Sequence, residues 1–210
     1  MSKLSVQLFI LIVLKNNILE TDRHFHIYNR ANGKEHIFTS SENYEFFLRK
    51  YKKYLFPVVE TFCYCLMPNH FHFLVKVKSH KELLKIENYK NSKKQNLYVS
   101  KQFSNLFSSY TQAFNKQESR KGNLFMRPFK RKEVLDEIYF RKLMHYIHTN
   151  PVEAGLCNFP NQWQHSSYNS LISKKPTLLM RKEVLNYFDS VENFVFVHSQ
   201  TPRISGIEEF

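Results

Sequence analysis

Glycine is scarce: four in 210 residues, beside seven prolines and a single tryptophan. So few glycines leave little room for flexible linkers, and the length suits one large domain with at most an appendage. The chain has no phosphate-cradling P-loop, no nucleotide-binding glycine fingerprint and no internal repeat. Cysteine is scarcer still. Cys63, Cys65 and Cys157 are odd in number, and the first two fall on one face of a predicted strand, too close for an ordinary disulfide. Reduced thiols in a cytosol are the economical reading. No second cysteine pair completes a zinc site. Long apolar runs are missing too. Val6 to Leu14 follows Lys3 and is too short to span a bilayer. Asn16, Asn17 and Glu20 come after it in place of a small-residue cleavage site, so a strand or an extension ahead of the domain is expected rather than a signal peptide.

Aromatic rings and positive charge are abundant. Apolar residues make up 42% of the chain, with 20 Phe and 12 Tyr, enough to fill a core. Lys and Arg number 31 against 18 Asp and Glu, a net charge of +13. Such a surplus implies a polyanionic partner, nucleic acid before an anionic membrane. The basic residues also cluster among aromatics, as they do where a protein tracks a phosphate backbone and stacks bases.

Periodicity predicts the elements. Arg23 to Arg30 alternates and reads as a first strand, followed by a turn at Asn32-Gly33. Ser40 or Ser41 caps a helix to about Leu55, with Tyr44, Phe47, Leu48, Tyr51 and Leu55 on its apolar side and Pro57 beyond it. Val58 to Leu66 and His70 to Lys78 form an antiparallel hairpin across a tight connection at Pro68-Asn69. Lys81 to Gln95 reads as a polar loop. A helix follows from Lys101 to Lys116, with an apolar stripe through Phe103, Leu106, Phe107, Tyr110, Ala113 and Phe114. Arg120 to Lys132 reads as a basic loop in which six cations surround Phe125 and Phe129, rings on which bases could stack. Asp136 caps a helix that runs toward His148 and closes at Pro151. A short helix, Arg181 to Phe188, and an aromatic segment, Phe194 to Val197, lie in a C-terminal appendage. The order β-α-β-β-α-(β)-α predicts an α+β fold, an antiparallel sheet with helices on one face.

The candidate site starts at the hairpin. Side chains of a strand alternate, so His70 and His72 share one face and Phe71 and Phe73 the other. Two imidazoles on a sheet suit one metal ion or one phosphate. On the later helix, Tyr146 and Asn150 are four apart and share a face. Asn150 precedes Pro151, which places it at or just past the helix end. His70, His72 and Asn150 could hold a divalent ion that polarises a phosphodiester, and Tyr146 could attack the phosphorus. A phenol of pKa near ~10 is a weak nucleophile at neutral pH, so a nearby cation favouring phenolate would help. His24-Phe25-His26 is a second His-x-His, read as structural, and His145 and His148 beside Tyr146 read as solvent-facing.

Several stretches resemble one family in its order: His26-Ile27-Tyr28-Asn29-Arg30, Met67-Pro68-Asn69-His70-Phe71-His72-Phe73-Leu74-Val75, Gly122-Asn123-Leu124-Phe125, Tyr146-Ile147-His148-Thr149-Asn150-Pro151-Val152-Glu153-Ala154-Gly155-Leu156 and Trp163-Gln164-His165-Ser166-Ser167-Tyr168. Together, from about His24 to Ser173, they resemble the REP-associated tyrosine transposases, which belong with the HUH-type single-strand transposases. Relatives often carry Trp where Phe125 stands and Arg where Pro128 stands.

The resemblance implies an RRM-like or ferredoxin-like fold and a Mg2+- or Mn2+-dependent enzyme that nicks single-stranded DNA through a 5′-phosphotyrosine, leaving a free 3′-hydroxyl. It implies Tyr146 as nucleophile, His70 and His72 as the histidine pair and Asn150 as third ligand. The implied substrate is a palindromic DNA hairpin with a flanking tetranucleotide. Arg30, Lys93, Lys94, Lys101, Arg120, Lys121, Phe125, Arg127, Lys130, Arg131 and Lys132 are the expected DNA contacts. The expected domain plan is an extension over 1–20, a catalytic domain over 21–173 and an appendage over 174–210. A cytoplasmic, nucleoid-associated monomer or homodimer is expected, with no membrane association. The competing readings are a hairpin-binding protein without chemistry and, more distantly, an RNA-binding protein, whose aromatic RNP motifs are not apparent.

Overall fold

The computed structural model describes residues 18–202 and Ile207. The apolar run near the N-terminus lies outside them. Four strands form one antiparallel sheet in the order β2-β3-β1-β4. They are β1 (His24–Arg30), β2 (Val59–Leu66), β3 (His70–Val77) and β4 (Lys130–Val134). The helices are α1 (Ser41–Tyr54), α2 (His80–Leu83), α3 (Glu87–Lys90), α4 (Gln95–Gln117), α5 (Glu137–Glu153), α6 (Tyr168–Ile172), α7 (Arg181–Asn186) and α8 (Val191–His198). The α+β class and the antiparallel sheet agree with the sequence reading.

Helices cover both faces of the sheet, where the sequence suggested one. Phe25, Ile27, Phe71, Phe73 and Val75 join Phe47 of α1 and Phe103, Leu106 and Tyr110 of α4 in one core. Cys63, Cys65 and Leu74 join Leu143, Met144 and Ile147 of α5, and Val184 and Phe194 farther on, in a second. The reason lies in β1 to β3, whose central residues are buried on both sides, His26 and His72 included. Cys63 and Cys65 do share a face. Burial pushes both thiols well above their ordinary pKa, which disfavours the thiolate a metal takes.

Two element boundaries differ from expectation. The stretch from Lys81 to Gln95 is partly helical. Ser79 and Glu82 form a capping box that starts α2, and α4 begins at Gln95, six residues before the predicted Lys101. Val99 extends the buried stripe in that added turn. Pro151 does not close α5. It sits inside the helix, which runs to Glu153, and Gly155 at φ 68° ends it. Proline costs α5 one amide donor, and the chain continues through Ala154 N–H to Asn150 O at 3.0 Å. Asn150 is therefore helical, not beyond the helix.

The hairpin turn is pinned from outside. Met67 N–H donates to His70 O at 2.8 Å, Ala31 N–H to Asn69 O at 2.8 Å, and Ile37 N–H to Pro68 O at 2.7 Å. The outer edge of β2 is covered by residues 163–167: Leu66 N–H donates to His165 O at 3.0 Å and Ser167 N–H to Tyr64 O at 2.9 Å.

His145 and His148 are buried, against the solvent-facing expectation. His148 joins α5 to the C-terminal segment: its Nδ1 lies 3.0 Å from His198 Nε2 and its Nε2 2.7 Å from Ser167 Oγ. His198 Nδ1 donates to Phe194 O at 2.7 Å. Burial pushes His198 down to about 3 and His148 well below the ordinary range.

Both rings stay neutral in the folded chain, whereas an unfolded histidine takes up a proton below about pH 6.5. The unfolded state then binds more protons, so stability falls as pH drops from about 6.5, by up to ~1.4 kcal/mol per pH unit for each such ring. Urea midpoints at pH 7 and pH 5 should show a clear loss at pH 5, and His198→Gln should flatten the dependence. Equal midpoints for wild type would contradict buried neutral rings.

Candidate functional site

Strand and helix meet along one seam. Tyr28, Arg30, His70, His72 and Lys132 share the sheet face that α5 covers, since paired antiparallel residues point the same way. Two residues of strand advance about 6.8 Å and four residues of helix about 6 Å, so His70/His72 and Asn150/Tyr146 fall opposite each other. His70 Nε2 lies 3.0 Å from Asn150 Oδ1. The Tyr146 ring stands edge-on to His72 with centroids 5.4 Å apart, and the His70 and His72 rings lie 5.1 Å apart. The structure thus brings together all four residues expected at the centre. Arg30, paired with His70 in the sheet register, adds a cation that works against protonation of that ring.

His70 Nδ1 lies 2.7 Å from Asn69 Oδ1. With that oxygen accepting Nδ1–H, the neutral ring presents a lone pair at Nε2, facing the acceptor oxygen of Asn150. In this tautomer the two acceptors suit a shared cation, whereas in the other Nε2–H donates to Asn150 Oδ1 as an ordinary hydrogen bond. Donors on adjacent corners of an octahedral ion at about 2.1 Å lie about 3 Å apart, the separation observed here. Burial holds His70 below the ordinary histidine pKa and His72 well below it. Neutral imidazoles are what a metal takes. Two ring nitrogens and an amide oxygen fit Mn2+ or, less comfortably, Mg2+. Among the described residues no three His, Cys, Asp or Glu converge on a metal site, so an ion held here would need the Asn150 amide as its third donor.

The expected DNA contacts divide. Lys101, Phe125, Arg127 and Arg131 line a groove of about 820 Å³ between α4 and residues 123–131, on the far face of the sheet from Tyr146. Phe125 and Phe129, however, are 5% and 8% exposed, and both rings pack on Phe107, so neither is displayed for a base. The basic loop ends in strand β4, which sends Lys130 and Lys132 to the α5 face and Arg131 to the groove. Arg131 lies over the Phe129 ring at 3.8 Å and donates to Ser100 Oγ at 3.1 Å. Arg120 pairs with Glu35 and donates to Asn115 Oδ1, so it holds the fold locally. Lys93, Lys94 and Lys121 are exposed and line neither the groove nor the seam.

His24 and His26 part company. The His24 ring packs edge-on to Phe62 and Phe140, as the structural reading expected. His26 is wholly buried, with Nε2 2.9 Å from His72 Nδ1. The strand alternation that aligns His70 with His72 also aligns His26 with them, once β1 is known to pair with β3.

A four-stranded antiparallel sheet with a histidine pair facing a tyrosine and an asparagine on one helix is the class that the motif resemblance implied. No protein-family model matches the chain. In sequence it is similar to a protein of Haemophilus influenzae (strain ATCC 51907 / DSM 11121 / KW20 / Rd) named for the REP-associated tyrosine transposases, 27% identical over 112 residues. The match spans 52% of this chain and 59% of that relative, less than two thirds of its length. In fold it is similar to a solved REP-associated tyrosine transposase bound to a REP hairpin, with a TM-score of 0.56 and 13% identity over 75% of this chain and 85% of that one. The resemblance to REP-associated tyrosine transposases read from the motifs is thus borne out in sequence and in fold.

The buried position of Phe125 has a measurable consequence. Phe125→Ala should cost about 3–5 kcal/mol of unfolding free energy, whereas Arg127→Ala at the exposed rim should change it by less than ~0.5 kcal/mol. Chemical denaturation of the two variants decides this; a fully stable Phe125→Ala would place the ring outside the core.

Proposed function

We propose that this chain nicks and rejoins single-stranded DNA at hairpin sites, with Tyr146 as nucleophile. One observation carries the reading: Asn150 and Tyr146 of α5 meet His70 and His72 of β3 across a single seam. The fold likeness and the sequence relative support it. His70, His72 and Asn150 would hold a divalent ion, Mn2+ or Mg2+, which when bound supplies Lewis-acid polarisation and charge screening at the scissile phosphate. Tyr146 Oη forms the new bond to phosphorus while the bond to the 3′ oxygen breaks. The phenol loses its proton, and the departing 3′ oxygen is protonated to a hydroxyl. The reverse attack by a 3′-hydroxyl releases Tyr146 and rejoins the strand. Arg30 beside His70 and the cations of β4 offset phosphate charge on this face. Lys101, Arg127 and Arg131 grip the backbone in the groove on the other. Residues 21–173 form the catalytic unit on this reading, and the segment to His198 packs against α5 as part of its support. The chain would work as a monomer or homodimer at the nucleoid. Among the described residues no helix is long and apolar enough to cross a membrane.

One observation favours a second reading, a hairpin-binding protein without chemistry. Tyr146 is only 4% exposed, so its hydroxyl reaches a phosphate only if DNA enters the seam itself.

Single-stranded hairpin DNA from repeats near this gene separates the two readings. Wild type with Mn2+ should give a covalent adduct on a denaturing gel that is absent with chelator and in Tyr146→Phe. Tight binding with no adduct, on DNA containing the true site, would favour the binding reading. Replacing Lys101 or Arg127 by Ala should lower the slope of log affinity against log salt by roughly 0.7–0.9 for each phosphate that the side chain had neutralised.

A further inference from the structure

His26 sits in the interior with no role in the reading above. Its ring is wholly buried and stacks on Tyr28 with centroids 4.4 Å apart. Its Nε2 lies 2.9 Å from His72 Nδ1, and the two rings are nearly parallel, 22° between planes. Its own Nδ1 is buried without a hydrogen-bond partner among the described residues. Lys132, its neighbour on β4, adds a positive charge on the same face.

A 2.9 Å contact between two ring nitrogens leaves two neutral arrangements. In one, His26 Nε2–H donates to His72 Nδ1; His72 then carries no proton there and has Nε2–H, which cannot bind an ion. In the other, His72 Nδ1–H donates to His26 Nε2, and His72 Nε2 keeps its lone pair. Only the second makes His72 a ligand. Ligand histidines commonly donate their other ring N–H to a neighbouring acceptor, which fixes both tautomer and ring orientation. That acceptor is commonly a carboxylate, a carbonyl or water; here the atom in place is an imidazole nitrogen.

We infer that His26 is a positioning residue: it accepts His72 Nδ1–H and so holds the His72 ring with Nε2 as the ion's donor. The inference rests on the proposed ion site. It gives His26 a part that its partner in the tripeptide, His24, does not share, because His24 packs on Phe62 and Phe140 instead. The buried Nδ1–H of His26 is then an unpaired donor in the ion-bound form, an arrangement that only a surrounding fold can impose.

Mn2+ titrations followed by electron paramagnetic resonance test it on the full chain, with circular dichroism confirming that each variant folds. His26→Gln supplies an amide oxygen as acceptor, and its affinity should stay within a few-fold of wild type. His26→Phe keeps a ring over Tyr28 but removes the acceptor, and should weaken Mn2+ binding by about 10–100-fold. Equal binding by wild type and His26→Phe would overturn the role of His26 and leave the ion site standing. Binding that is absent from wild type, or unchanged in His70→Ala, would overturn the ion reading itself and this inference with it. A second measurement does not depend on variants folding. Long-range proton–nitrogen correlation spectra of wild type with saturating Mg2+ should show His72 protonated at Nδ1; protonation at Nε2 would overturn the proposal.

Discussion

The contact between α5 and β3 is the constraint around which the molecule is arranged. A strand repeats its face every second residue and a helix repeats its own about every fourth, and these advances are nearly equal in length. Laid against each other, the two elements keep His70 with Asn150 and His72 with Tyr146. A shift of β3 by one residue would turn both histidines to the other face and leave Phe71 and Phe73 under α5. The register is held on the strand side by the turn at Pro68 and Asn69, whose carbonyls are tied to residues 31 and 37. On the helix side it is held by the second core and by the His148–His198 contact.

Placing histidines inside the protein has chemical and energetic sides that are linked. Burial alone is the largest cause lowering the pKa of His26, His70, His72, His148 and His198. At the seam this keeps two imidazoles neutral and able to donate lone pairs. Beneath α5 the same burial gives no ligand, because His148 and His198 use their nitrogens on each other, Ser167 and a backbone carbonyl. The difference between a site and a strut is thus set by what stands opposite each nitrogen. On the proposed ion reading Asn150 Oδ1 and the His70 Nε2 lone pair both turn to a shared cation, whereas Ser167 Oγ opposite His148 Nε2 can donate directly.

Much of this was legible in the sequence. The period-two pattern of β1 to β3 and the four-residue spacing of Tyr146 and Asn150 depend only on local geometry, and the structure agrees with both. What was missed depends on partners distant in sequence. Phe125 and Phe129 sit among cations and looked like stacking platforms, yet Phe107 of α4 takes both into the core. His26 looked like a bystander because nothing local says that β1 lies beside β3. Pro151 looked like a helix end, but a proline in the last turn removes only one donor, and Gly155 supplies the left-handed stop. The capping box of Ser79 and Glu82 was a local signal, outweighed by the polar composition around it.

The short strand β4 shows how one element can serve two surfaces. Lys130, Arg131 and Lys132 are consecutive, and as a loop they would act as one basic patch. As an edge strand beside β1 they alternate, two cations toward the α5 face and one into the groove beneath α4. The groove and Tyr146 lie on opposite faces of the sheet, so on the proposed reading a single DNA strand gripped in one reaches the other around this edge. A flexible single strand can make that turn more readily than a stiff duplex, and β4 presents positive charge along both sides of the route. On that reading, a single-stranded substrate would suit where the two surfaces lie, before any contact to a base is considered.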